Sequence, residues 1–211
     1  MAIIGLDDFT GTAGPFSSRV ATTGGTWQLI GTGARISPTG TSATGENQYT
    51  GAGARLPLSV ANASLSVPFA APNVDDQTLL LYLRWADADN LYAAKLTTFS
   101  RRFSLLKRVA GVETELGTAY IIPTLAINTT YTLLFTVTGT ALTLAIDGTD
   151  RITTTDSAIS AAGQAGWFEG GQQSTSGNSY TGIRLDSFTV DDLLGGGGSG
   201  LAAVLMRRRL G

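Results

Sequence analysis

The chain predicts an all-β fold, an antiparallel two-sheet sandwich of the jelly-roll type. Three observations predict it. The 211 residues include 30 Thr and 27 Gly, and Thr favours strands while Gly favours turns, both being poor helix interiors. Apolar and polar residues alternate with period two through most of the chain. Turn residues punctuate these runs at short, regular intervals. About twelve strand candidates precede residue 195, and none of the chain up to that point has a helical period.

The elements justify themselves in order. Ala63–Phe69 places Leu65, Val67 and Phe69 on one face and Ser64 and Ser66 on the other. Thr78–Trp85 is apolar on nearly both faces, as a central strand is. Asp87–Asn90 (DADN) reads as a turn. Leu91–Thr98 and Phe103–Val109 are strands joined through Ser100–Arg102. Tyr131–Thr138 presents Tyr131, Leu133, Phe135 and Val137 to one side and threonines to the other. Leu142–Ile146 follows, with Leu142, Leu144 and Ile146 facing inward, and Asp147-Gly148 supplies a hairpin turn that needs positive φ. Gly163–Phe168 and Ile183–Val190 complete the body. Gly31–Gly53 and Gly170–Gly182 read as loops rich in Gly, Ser and Thr.

The predicted organisation is a sandwich over residues 1–194, a Gly-rich linker over 195–200 and a tail over 201–211. The tail carries Leu201, Val204, Leu205 and Met206 with Arg207, Arg208 and Arg209. It is too short for a stable isolated helix or a membrane span, and it reads as a docking arm for a partner's groove.

Composition excludes much chemistry. His and Cys are absent, which removes His-based triads, thiol catalysis, disulfides and His- or Cys-ligated metals. Up to Leu194 the chain holds 11 basic and 16 acidic residues, a net −5, which argues against nucleic acid as a partner. No secretory signal and no apolar stretch of spanning length is legible.

Several segments together resemble one superfamily. An early DDF (Asp7, Asp8, Phe9) and a late LDSFTV (Leu185–Val190) bracket LLLYLRWADADNLYAAKL (Leu79–Leu96), FSLLKRVAGVETELGT (Phe103–Thr118), TYTLLFTVTGTALTLAIDG (Thr130–Gly148) and AAGQAGWFEGG (Ala161–Gly171). The pattern is similar to the concanavalin A-like lectin/glucanase superfamily in its laminin-G-like form, over about residues 5–192. The resemblance implies neighbouring first and last strands. It implies a function among lectins, carbohydrate-binding modules, glycoside hydrolases, adhesive domains and phage structural proteins. It also implies Ca²⁺ at a loop rim, for which Asp87, Asp89 and Asn90 are the candidate ligands; their alternative role is an Asx turn.

A glycosidase of this fold would carry Glu-x-Asp-x-Glu along a strand. Glu113-Thr114-Glu115 alternates suitably but lacks the third acid, so a non-enzyme is expected. Trp85 and Trp167 lie in apolar strands and are expected in the core. Tyr49, Asn178 and Tyr180, in the polar loops, are the candidate ligand-binding residues. The expectation is a structural or adhesive component of a large assembly, a bacteriophage virion protein of the capsid-decoration or tail/fibre kind. Its expected partners are other virion proteins, copies of itself or host surface glycans. The alternative is a carbohydrate-binding module or lectin.

Overall fold

The structure, a computed structural model, describes residues 1–12, 14–31, 34–36, 43–45, 51–71, 76–171, 175–176, 179–180 and 182–193. The expected linker and docking tail, and with them Leu201, Val204, Leu205, Met206 and Arg207 to Arg209, lie outside the described residues.

Two antiparallel sheets make the body, and among the described residues the only helical element is one 3₁₀ turn, Phe16–Ser18. The seven-stranded sheet runs Val112–Ile121, Arg102–Val109, Asn90–Thr97, Gln77–Asp87, Gly163–Gly171, Ala52–Val60, Gln28–Gly31. Gln77–Asp87 is its middle strand, as the two-sided apolar run predicted. The second sheet begins Thr149–Thr155, Ala141–Ile146, Thr130–Thr138, Ala63–Ala70 and continues through short strands. Two of these, Ala34–Ile36 and Ala43–Gly45, fall where the sequence predicted only loop. A small separate ladder, Thr175–Ser176 with Ser179–Tyr180, likewise lies inside the second expected loop.

The predicted phase of the Thr130–Ile146 hairpin matches the structure. Leu133 faces Ile146, Phe135 faces Leu144 and Val137 faces Leu142, and all six are at most 2% exposed. Apolar cross-strand pairs of this kind carry a sheet's stability. The next turn is a two-residue one, since Ile146 pairs with Thr149. Asp147 (φ 50°) and Gly148 (φ 76°) both occupy the left-handed region, the requirement of a type I′ hairpin. Asp147 Oδ1 also accepts from the Thr132 N–H at 2.8 Å.

The first strand, Ala2–Asp7, pairs with Phe188–Asp192 from Ala2–Asp192 to Asp7–Phe188, the neighbourhood the resemblance implied. Asp7 closes this corner. It is fully buried, and its carboxylate accepts from the Phe9 N–H at 2.9 Å, Trp27 Nε1 at 2.6 Å, Arg19 Nε at 2.7 Å and Arg19 Nη2. A buried carboxylate needs such partners. Around it Phe9, Phe16, Trp27, Trp167 and Phe188 pack with ring centroids 5.0–6.0 Å apart, favourable tilted and edge-on arrangements. Trp167 is thus a core residue, as expected.

Candidate functional site

The middle strand Gln77–Asp87 builds the site through one irregularity. Strict alternation would send Leu79, Leu81, Leu83 and Trp85 to the same face. The three leucines do enter the main core. Trp85 does not: it joins Tyr82, Leu91, Ala93 and Leu106 in a second apolar cluster. Trp85 is buried, as expected, but in this second cluster on the outer side of the sheet. Tyr82 pairs with Gly166 while Trp85 pairs with Gln164, so three steps on one strand oppose two on the other. This is a β-bulge, and the extra residue moves every later side chain to the opposite face. Arg84 (φ 51°) sits at the bulge. It turns its guanidinium onto three carbonyls, Ala61 O at 2.7 Å, Ile159 O at 2.6 Å and Gly139 O at 2.7 Å.

The ladders lay the outer face out as rows. One runs Gln28, Arg55, Gly166, Tyr82, Ala93, Leu106, Glu115; its neighbour runs Ile30, Gly53, Phe168, Leu80, Lys95, Ser104. The small residues Gly166 and Ala93 flank Tyr82 in its row. A Cβ on Gly166 would lie 2.7 Å from Ala54 O and 2.8 Å from Arg55 Cβ, so the position is closed to larger residues. The Tyr82 and Trp85 rings meet edge-on at 4.8 Å, and the Arg55 guanidinium lies over the Trp85 ring, 5.5 Å from its centroid. Burial holds the Tyr82 hydroxyl far above its usual pKa, so the phenol stays protonated and neutral.

Two polar atoms here have no partner. Trp85 Nε1 and Gln164 Oε1 are both buried without a hydrogen bond, although their residues are cross-strand neighbours. Leaving such groups unpaired costs about 1–3 kcal/mol each. One is a donor and the other an acceptor, the complement of a hydroxyl group.

The other sequence-predicted candidates behave differently. Tyr49 and Asn178 lie outside the described residues. Tyr180 is placed by its backbone in the short ladder, opposite Thr175. Asp87, Asp89 and Asn90 form a turn clasp. Asp87 Oδ1 accepts from the Asp89 N–H at 2.8 Å and from Asn90 Nδ2 at 2.9 Å, and Asn90 Oδ1 accepts from the Ala110 N–H at 3.2 Å. The Asp89 N–H, followed by the Asn90 amide, holds the Asp87 carboxyl below its usual pKa. Among the described residues no group of three or more His, Cys, Asp or Glu is placed to hold a metal. The Asp87 carboxylate and the Asn90 side-chain oxygen thus serve the turn. Glu113 and Glu115 are half-exposed and ion-paired, Glu113 to Arg108 at 3.1 Å and Lys95 at 3.9 Å, Glu115 to Arg102 at 2.6 Å.

Sequence reasoning missed Arg55, Tyr82 and Gln164 as site residues. Tyr82 was visible as an aromatic in a two-sided apolar strand. Arg55 and Gln164 carry no local signal, because only the ladder brings them to Trp85.

No family profile matches the sequence, and no curated protein matches it. Solved structures do match in shape. The carbohydrate-binding module CBM66 from Bacillus subtilis superposes with a TM-score of 0.64 at 18% identity, over 84% of this chain and 100% of that one. The β-glucanase of Bacillus licheniformis gives 0.63 at 11% identity, over 87% and 99%. The Ca²⁺- and mannose-bound exoplasmic/lumenal domain of VIP36 gives 0.63 at 12% identity, over 94% of each chain. None of these three is a virion protein, and the expectation of a virion role rests on the sequence alone. At such identities the likeness is one of fold: the chain is an antiparallel two-sheet jelly-roll sandwich of the concanavalin A-like type.

Proposed function

We propose that the protein is a carbohydrate-binding module that holds a saccharide on the outer face of its seven-stranded sheet, without cleaving it. The observation that carries this reading is the unpaired Trp85 Nε1 and Gln164 Oε1 beside the Tyr82–Trp85 ring pair. A sugar offers hydroxyls that accept and donate at once, together with apolar C–H faces that pack on aromatic rings. The structural likeness to a carbohydrate-binding module and to a mannose-bound domain supports it.

The non-enzymatic part has its own support. Glycoside hydrolysis needs two carboxylates flanking the bond, about 5–5.5 Å apart for retention and 6.5–9.5 Å for inversion. On the outer face the ladder places Glu113 and Glu115 on the edge strand Val112–Ile121, both in ion pairs. Among the described residues of the five central strands no carboxylate joins the outward rows.

The test is a glycan array followed by calorimetry on the best ligand. Trp85→Phe keeps a ring and removes the N–H; Gln164→Leu removes the acceptor. Each is expected to weaken binding about three- to tenfold, the worth of one hydrogen bond, when measured well below the variant's own melting temperature. No reducing ends should appear on β-glucan or on the bound glycan. Retention of full affinity by both variants, or turnover, overturns the reading.

A further inference from the structure

Arg55 stands on the outer face beside Tyr82 and Trp85. The other three cations on the face answer to carboxylates: Arg102 to Glu115, and Arg108 and Lys95 to Glu113. Among the described residues Arg55 has no carboxylate partner. Its Nε donates to Gln28 Oε1 at 3.1 Å, a contact that fixes the side chain and leaves both terminal NH₂ groups for a ligand. Among the described residues the outward rows thus hold four cations against the two glutamates that pair three of them, while the whole chain carries a net −2.

The guanidinium also covers the indole. Trp85 is only 6% exposed, with Arg55 lying over its ring. A neutral sugar could stack on that ring only by displacing Arg55 and losing the cation–π contact. A carboxylate instead meets the guanidinium where it stands, through two parallel N–H···O bonds. The unpaired Trp85 Nε1 and Gln164 Oε1 are buried on the same face, beneath that guanidinium's indole. From this geometry, and resting on the saccharide reading above, we infer that the ligand is an acidic saccharide whose uronate carboxylate is taken by Arg55.

The test uses the full chain and calorimetry with four polymers: polygalacturonate, its methyl ester, dextran sulfate and the neutral fructan levan. Polygalacturonate should bind at least about tenfold more tightly than its ester, and raising NaCl from about 0.05 M to 0.5 M should weaken only the charged form. Arg55→Gln should erase the tenfold preference, and Arg55→Lys should keep part of it. Equal affinity for acid and ester, or full preference in Arg55→Gln, overturns the inference while leaving the saccharide reading intact. Binding of dextran sulfate without polygalacturonate overturns the carboxylate assignment and points to a sulfate ester. Trp85-dependent binding of levan alone also overturns the inference and supports the broader reading. Failure to bind any of the four, with none on the array, overturns both.

Discussion

Single side chains in this protein tie loops to sheets. Asp156 shows how. Its carboxylate accepts from Tyr92 Oη at 2.6 Å, Lys107 Nζ at 2.6 Å and the Ala158 N–H at 2.8 Å, and Tyr92 Oη in turn accepts from the Ile159 N–H at 3.1 Å. Burial works to raise the Asp156 carboxyl, but the Lys107 and Tyr92 hydrogen bonds, the Ala158 N–H and the Lys107 charge outweigh it and hold it below the usual value. Burial, reinforced by Asp156, pushes the Tyr92 hydroxyl up to about 12. For Asp156 the folded pKa is the lower one. Its stabilisation is therefore full above about pH 4, the unfolded value, and is lost as pH falls through the folded value. Asp156→Asn is expected to cost about 1.5–3 kcal/mol at pH 7 and to flatten the fall in stability below pH 4. Urea unfolding at pH 7, 4 and 3 reads both effects; equal acid sensitivity in the variant would remove Asp156 from the account.

Between strands, the decisive event is the bulge at Arg84. It is paired with a glycine on the neighbouring strand, because a Cβ on Gly163 would lie 2.5 Å from the Arg84 carbonyl carbon and 2.8 Å from its Cα. Gly163→Ala is expected to cost about 1–3 kcal/mol, the range of overpacking, and to weaken saccharide binding by shifting Trp85. A thermal melt and the same calorimetry check this; wild-type values in both would mean the bulge does not need Gly163. The bulge also marks where the sequence stops being legible. Hairpin Thr130–Ile146 could be read to the side chain, because its phase is local and Asp147-Gly148 states its own turn. Gln77–Asp87 could be recognised as central and Trp85 as buried, yet which of the two apolar clusters Trp85 joins was not legible. Nothing near Arg84 announces the extra residue, since the glycine that makes room for it, Gly163, is distant in the chain. The loop residues Tyr49, Asn178 and Tyr180 are candidates because loops commonly carry binding sites. Tyr82, Trp85 and the unpaired polar groups lie on the flat of the sheet, and only pairing across strands assembles them.

At the scale of the molecule, sheet closure depends on the chain's first strand. Ala2–Asp7 pairs with Phe188–Asp192, and the latter pairs with Ala63–Ala70. Deleting residues 1–8 removes Asp7 and exposes Phe188 and Val190, which are fully buried. The deletion is expected to abolish cooperative unfolding. Truncation after Leu193 removes no core residue described here and is expected to leave a folded body melting within a few degrees of the full chain. Circular dichroism melts separate the two, and a collapsed melt of the second would place residues 194–211 in the fold.

The register of that same strand pair has a geometric corollary. Ala2 stands opposite Asp192, and opposed residues in an antiparallel ladder have Cα atoms about 4.5–5.5 Å apart, little more than one peptide step of 3.8 Å. The two ends of the body thus leave it at nearly one point. A host protein can receive residues 2–192 within a single surface turn without spreading the turn's flanks. So mounted, the body is a pendant on a double stem, and short stems fix the direction in which the Arg55–Trp85 face looks.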